Sequence, residues 1–290
     1  MILTLRLTLH CKGCPIMNEP SASQRRAWKP LIYRLARYLS RLFTRLTGLV
    51  VHRYRPDYHY CPVVYGGNYA KKVDIRTIDG FRDIAEAVIL AGKTSLYYDR
   101  LYILYQALLN VSKLSPDSAN LAEVGVFRGG SSYFIAAVAN QVFEPKPHIY
   151  GFDTFAGHSA ADITAGLDRD HRPGGFKETS YEAVNAYLSA FDNVTLYKGR
   201  FQDTCAHAAE RTFAFVHIDV DIYRATLDAL AFFGRRMLAG GIIVVDDYGF
   251  TTCPGARQAV DEFTVAHPHF HKLHLDTGQC LLTCLVPDNA

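Results

Sequence analysis

The sequence predicts an α/β protein: a doubly wound parallel sheet, closed by a C-terminal antiparallel hairpin and preceded by an N-terminal helical extension. Two observations carry this expectation. Beyond Ser115-Pro116, short apolar runs rich in β-branched residues alternate with helical patterns, and such alternation builds a parallel sheet covered by helices on both faces. Two of the runs end in paired aspartates, Asp219 and Asp221 in FVHIDVDIY and Asp246 and Asp247 in GGIIVVDDYG. Carboxylates that follow a buried strand mark the edge where α/β sheets bind ligands.

The extension is expected to occupy residues 1–75. Between Ser21 and Pro56 every charged residue is basic. Pro30 precedes LIYRLARYLSRLFTRLTGL, which stops at Gly48, a common helix terminator. Arg34, Arg37, Arg41 and Arg45 share one face of this helix, and Leu35, Leu39, Leu42 and Leu46 share another. Two readings stay open: a helix packed on protein with solvated arginines, or peripheral membrane contact of residues 31–47 with anionic lipid. Residues 51–75, rich in Tyr, Pro and Gly, read as an ordered linker or cap.

A helical region from Gly80 to Ser112 opens the main domain, expected at 76–290. Strands then follow at ANLAEVG, HIYGFD, NVTLY, TFAFVHIDV and GIIVVDD, with helices from about Ser131, Tyr181, Thr226 and Gly255. The closing HFHKLHLDTGQCLLTCLV turns at Asp276-Thr277-Gly278 and reads as a hairpin at the sheet edge. Between the second strand and its helix lies an insert, about 157–179, too long for an idle connection; it reads as a lid over the substrate. Its two histidines, His158 and His171, receive no role.

Bulk properties bound the function. At 290 residues the chain can bury a full core, and a net charge of +3 does not by itself imply nucleic-acid binding. Seven scattered cysteines read as reduced thiols in a cytoplasmic protein. Cys11 and Cys14 form a CxxC without a second CxxC or an HxxxH partner, so the pattern falls short of a zinc ligand set. The stretch before Met17 makes a poor signal peptide, Met17 is itself a candidate start, and no apolar run reaches the roughly 18 residues of a membrane span.

Chemistry concentrates at the strand ends. AEVGVFRGGSS combines Glu123 with Gly125, Gly129 and Gly130 in a turn that lets a ligand approach the backbone, although its spacing is not the GxGxxG dinucleotide pattern. A glycine turn that only packs strand on helix is the plainer alternative. Asp153, ending the second strand in GFDTFAG, can accept hydrogen bonds from both ribose hydroxyls. Together these favour an adenosine-containing ligand. No P-loop is present and Glu123 is unwelcoming to phosphate, so a neutral or cationic nucleoside fits better. Four carboxylates gathered at one edge repel one another unless a cation sits between them, and oxygen ligands at that density suit Mg²⁺ or Ca²⁺.

The ordered segments EVGVFRGGSS, GFDTFAG, KGRFQDT, HIDVDIYRATLDAL, GGIIVVDDYG and PGARQAVDEF resemble the macrocin O-methyltransferase family, over roughly Thr94 to Phe263. Members are Rossmann-like class I enzymes that use S-adenosylmethionine to methylate sugar hydroxyls and related positions. The resemblance implies Mg²⁺ on Asp219, Asp246 and Asp247, with Asp221 as general base. It also implies that Glu123, Gly125 and Asp153, with Gly129 in the turn, contact the cofactor, that Arg128 lies near its methionine end and Asp203 near its adenine. The expected partners are a small-molecule or glycan acceptor with a free hydroxyl and, by resemblance, a second copy of the chain in a homo-oligomer. Two rivals are kept: a DxD glycosyltransferase using Asp219-Val220-Asp221, and a non-catalytic protein that docks through its basic helix.

Overall fold

The computed structural model describes residues 75–114 and 119–286, together with positions 38, 39, 42 and 46. The chain divides into two units, 1–71 and 72–290. Cys11 and Cys14, Met17, the arginines of the extension and the 51–74 stretch lie outside the described residues. Tyr38, Leu39, Leu42 and Leu46 are helical and exposed.

The second unit begins with α1 (Arg82–Leu90) and α2 (Tyr98–Val111), two helices where the sequence reads as one helical region. Gly92 separates them in a left-handed conformation, φ +64°, that ends the first helix. The sheet is then built from β1 (Ala119–Val124), β2 (Ile149–Asp153), β3 (Val194–Lys198), β4 (Thr212–Ile218), β5 (Met237–Val245), β6 (Phe270–His274) and β7 (Cys280–Cys284). Its order is β3-β2-β1-β4-β5-β7-β6. The first five strands are parallel, and β7 pairs antiparallel with both β5 and β6. This is the anticipated parallel sheet with its terminal hairpin. The intervening helices are α3 (Gly130–Val142), α4 (Tyr181–Tyr187), α5 (Phe201–Thr204), α6 (Tyr223–Gly234) and α7 (Pro254–Ala266).

Strand alternation divides the core between the two faces of the sheet. Leu121, Ile149, Phe215 and Val244 pack with α1, α2 and α3 through Phe81, Leu101, Leu108 and Phe134. Ala122, Val124, Phe152, Val216 and Ile218 pack on the opposite side with Phe233, Val260 and Phe263 of α6 and α7. Local signals set the helix starts: the Ser180 hydroxyl accepts from the Ala183 amide at 3.2 Å, and Pro254 stands in the first turn of α7.

The register places the site. Val124 is level with Phe152 and Ile218, and Ile218 with Val245. The ladder continues for one more rung on three strands. The amides of Gly125, Asp219 and Asp246 donate to the carbonyls of Phe152, Val124 and Ile218, each at 2.9 Å. The chain order reverses between β1 and β4, which opens a crevice at the carboxyl edge of the sheet.

Candidate active site

A cavity of about 330 Å³ occupies that crevice, a size that suits a small organic ligand. Gly125, Asp153, Asp219, Asp221 and Asp247 line it, together with Phe127, Phe152 and Phe201. Gly125 sits at φ +96°, and a Cβ there would stand 1.9 Å from the Asp219 carbonyl oxygen. Only glycine lets the end of β1 approach the end of β4 so closely.

Asp219 and Asp221 reach the cavity by a route other than strand alternation. β4 ends at Ile218, and Asp221 adopts φ +63°, a left-handed conformation rare for a side-chain-bearing residue. Its amide donates to Asp247 Oδ2 at 2.9 Å, which ties the loop after β4 to the turn after β5. Asp246 and Asp247 likewise follow the last residue of their strand and enter a turn, so neighbouring side chains can serve one site. Donor atoms of Asp219, Asp246 and Asp247 lie within 4.8 Å of one another.

The charges at this edge do not balance. Glu123 and His217 are level on adjacent strands and fully buried, with His217 Nδ1 2.9 Å from Glu123 Oε1. His217 Nε2 faces Asp246 Oδ1 at 3.7 Å, too far for a hydrogen bond. Burial works against a charged His217, yet its partners Asp246 and Glu123 raise its pKa to about 10. Arg100 of α2 donates to Asp246 Oδ2, and Gln279 to Asp246 Oδ1 at 2.8 Å. Burial opposes ionisation of Asp246, but His217 and Arg100 outweigh it and hold this carboxyl below the usual range. His217 and Arg100 thus neutralise Glu123 and Asp246.

Asp219, Asp221 and Asp247 are left as buried acids that repel their neighbours. Burial first, then Asp246 and Asp247, push Asp219 well above the usual carboxylate range; burial, Asp221 and Asp246 do the same to Asp247. Burial and the nearby Asp219 and Asp246 raise Asp221 to about 7. A hard dication among these oxygens would relieve the repulsion, so the donor set fits Mg²⁺. Asp246 fits it less freely than Asp219 and Asp247, because both of its oxygens already accept from Arg100 and Gln279.

Also on the cavity wall, Asp153 accepts from the amides of Phe127 at 2.8 Å and Phe155 at 2.6 Å. Burial raises its pKa against the pull of these amides. It lines the cavity, as does Gly125.

Four other residues expected at the cofactor stand elsewhere. Glu123 points beneath the sheet edge to His217 and Ser132, because alternation along β1 turns it towards the α3 face. Arg128 is exposed, donates to the Glu178 carbonyl at 3.2 Å and lies over the Phe127 ring. Gly129 forms the left-handed entry to α3, φ +84°, where a Cβ would meet Val184 at 2.9 Å. Asp203 lies in the first turn of α5 with its side chain 64 % exposed, and no side-chain hydrogen bond caps that helix. None of the four lines the cavity.

The insert at 157–179 is folded and anchored. Its neck closes through His158 and Gly175, whose amide-to-carbonyl bond measures 2.9 Å. Asp162, buried and on the cavity wall, binds the Arg200 guanidinium through both oxygens at 3.0 and 2.5 Å and also accepts from Gln202. Asp168 accepts from the Tyr223 amide at 2.9 Å. His158 Nε2 stands 3.5 Å from Asp221 Oδ2, and burial followed by the neighbouring His171 lowers the His158 pKa to about 4. Cys253 Sγ lies 3.7 Å from Asp221 Oδ1, and burial pushes its pKa up. Sequence reasoning missed Arg100, Asp162, Cys253 and Gln279. Arg100 alone carried a signal, as a cation within the apolar stretch YYDRLYILY.

This sheet order, with a cleft at the switch point flanked by a glycine turn and strand-end aspartates, defines a Rossmann-like class I methyltransferase fold. The solved O-methyltransferase NovP has it too, with a TM-score of 0.58 at 26% identity over 67% of this chain and 83% of that one. Calicheamicin methyltransferase CalS11 shares the fold at a TM-score of 0.51 and 17% identity, over 75% and 99% of the two chains. Residues 70–276 match the Macrocin-O-methyltransferase (TylF) family, and the chain belongs to that family. It is 33% identical over 153 residues to the 8-demethyl-8-(2,3-dimethoxy-alpha-L-rhamnosyl)-tetracenomycin-C 4'-O-methyltransferase of Streptomyces olivaceus, half of this chain and 57% of the relative. It is 28% identical over 158 residues to the mycinamicin III 3''-O-methyltransferase of Micromonospora griseorubida, 51% of this chain and 61% of the relative. The chain therefore spans about three fifths of the length of these relatives.

Proposed function

We propose that this protein is an S-adenosylmethionine-dependent, Mg²⁺-dependent O-methyltransferase acting on a hydroxyl of a sugar, glycan or glycosylated small molecule. The observation that carries the reading is one cavity lined both by Gly125 and Asp153 and by the acidic group Asp219, Asp221 and Asp247. Relatives named as sugar O-methyltransferases support the acceptor class. A DxD glycosyltransferase reading would leave the glycine turn and Asp153 without roles, and family membership goes against it.

When bound, S-adenosylmethionine supplies an electrophilic methyl carbon, and Mg²⁺ on Asp219, Asp247 and Asp246 supplies charge that lowers the pKa of an acceptor hydroxyl. The protein's own groups do the rest. Asp153 and the Gly125 turn would hold and orient the nucleoside. Asp221, on the wall of the same cavity, takes the proton as the acceptor oxygen attacks. The insert, pinned by the Asp162–Arg200 pair, excludes water and holds the acceptor, and such orientation supplies several kcal/mol of barrier reduction.

The test is incubation of the purified chain with S-adenosylmethionine and a panel of glycosylated acceptors, with Mg²⁺ or with chelator, followed by mass spectrometry. A Mg²⁺-dependent gain of one methyl group with formation of S-adenosylhomocysteine is expected. Transfer undiminished by chelation would remove the metal from the proposal.

The proposal extends to the first unit and to assembly. Leu39, Leu42 and Leu46 are helical and exposed, and the 31–47 sequence is rich in arginine, which favours peripheral contact with anionic membrane. Binding to anionic vesicles at low salt is the expected result, and its failure would leave the extension as a protein-packing helix. Among the described residues, no helix is long and apolar enough to cross a membrane. Light scattering should give the mass of a homo-oligomer.

A further inference from the structure

The two histidines of the insert have no part in the methyl-transfer proposal, yet they meet at its acidic group. Donor atoms of His158, His171 and Asp221 lie within 4.8 Å of one another. Cys253 Sγ is 3.6 Å from His171 Nε2 and 3.7 Å from Asp221 Oδ1, while His158 Nε2 is 3.5 Å from Asp221 Oδ2. We propose that His158, His171, Asp221 and Cys253 form a second metal site, distinct in chemistry from the all-carboxylate site beside it and selective for Zn²⁺ or a similar borderline cation.

Three observations carry this. The donor set is two imidazoles, a carboxylate and a sulfur, which suits zinc and is foreign to Mg²⁺. The spacing also fits: zinc bonds of about 2.05 Å to nitrogen or oxygen and 2.3 Å to sulfur, arranged tetrahedrally, put neighbouring ligand atoms about 3.3–3.6 Å apart. The 3.5 Å from His158 Nε2 to Asp221 Oδ2 and the 3.6 Å from His171 Nε2 to Cys253 Sγ fall in that range, and Cys253 Sγ stands 3.7 Å from the other Asp221 oxygen. Finally, His158 has a side chain only 9% exposed, and its Nε2 is buried without a hydrogen-bond partner while facing Asp221. Such an orphaned nitrogen costs free energy in the empty protein, and a metal ion recovers it. His171 Nε2 lies 3.0 Å from the Thr252 carbonyl and must leave it to bind.

The site shares Asp221 with the proposed general base. Zinc occupancy would withdraw that base, so Zn²⁺ is expected to inhibit methyl transfer. The binding itself does not depend on the methyltransferase reading and is measured without turnover.

The experiment titrates Co²⁺ and then Zn²⁺ into the metal-stripped, reduced full chain, with excess Mg²⁺ present. It uses a Cys11→Ser/Cys14→Ser background, so that the CxxC cannot supply a thiolate site. The expected result is one equivalent of Co²⁺ with four-coordinate visible bands and a sulfur charge-transfer band, displaced by Zn²⁺. In that background Cys253→Ser should abolish the charge-transfer band, and His158→Ala and His171→Gln should each weaken Zn²⁺ binding at least about tenfold. If His158→Ala fails to fold, the other two variants still decide the matter. Absence of stoichiometric Zn²⁺ binding, or binding unchanged in His171→Gln and Cys253→Ser, would overturn the proposal. Lack of methyl transfer alongside intact Zn²⁺ binding would count against the function, not this site.

Discussion

Replacing Asp221 by asparagine separates the cost of this residue to the fold from its use in catalysis. The folded protein holds the Asp221 carboxyl at a pKa of about 7, against an ordinary 3.8. At a pH above both values the unfolded chain carries an ionised aspartate at no penalty, whereas the metal-free folded chain must strip its proton among Asp219 and Asp246. A shift of about 3 units at about 1.4 kcal/mol each sets an upper limit near 4 kcal/mol. Sharing of the repulsion among the carboxylates brings the expected gain for Asp221→Asn to about 1–4 kcal/mol. For a domain of this size that corresponds to a melting temperature higher by roughly 2–15 °C.

The sign follows from linkage. A raised carboxyl pKa means that the folded state holds more protons, so the parent loses stability as pH rises from about 4 through about 7. The advantage of the variant should therefore be about two-fifths of its full size at pH 5 and nearly full at pH 8 in chelator, and should shrink when Mg²⁺ is added. Asparagine also tolerates the left-handed backbone at φ +63°, but that benefit does not change with pH. Calorimetric melting at the two pH values isolates the electrostatic part, and turnover is read in parallel, with a loss of at least about a hundredfold expected. A pH-independent or negative change in melting temperature would refute the charge argument. Turnover within a few-fold of the parent would remove Asp221 as the base.

Three further outcomes test other parts of the site. Gly125→Ala forces a Cβ to within 1.9 Å of the Asp219 carbonyl; it should destabilise by at least about 3 kcal/mol in urea unfolding and abolish S-adenosylhomocysteine binding, and a parent-like midpoint would contradict the close approach. His217→Leu leaves Glu123 and Asp246 buried without their shared cation and should cost about 3–5 kcal/mol; the parent alone should then lose the contribution of His217 as pH rises through about 10. Asp162→Ala unpins the insert from Arg200 and Gln202 and should speed tryptic cleavage after Arg169 and Lys177, measured by mass spectrometry. Unchanged cleavage would mean that other anchors hold the loop.

Much of the fold was legible because strands buried on both faces read as continuous apolar runs, and β1, β2, β4 and β5 lie where LAEVG, IYGFD, FAFVHI and IIVVDD placed them. The convergence of the aspartates was only half legible. Asp219 and Asp221 were read as the end of an apolar strand run, but β4 ends before both, and a left-handed residue aims the second. Glu123, Arg128, Gly129 and Asp203 follow the expected motif order without facing the cavity, since order along the chain does not fix which way a side chain points. Asp246 binds Arg100 from 146 positions away, and Arg200 binds Asp162 from 38 positions away. No local pattern announces such partners; they become visible only when the sheet brings their elements together.

The most direct test of the central claim is calorimetric titration of the purified chain with S-adenosylhomocysteine, with Mg²⁺ present and with it chelated. The account predicts saturable micromolar binding at one site per chain, lost in Gly125→Ala and retained in Asp221→Asn. No binding in either condition would contradict the assignment of Gly125 and Asp153 to a nucleoside cofactor, and with it the proposed methyl transfer.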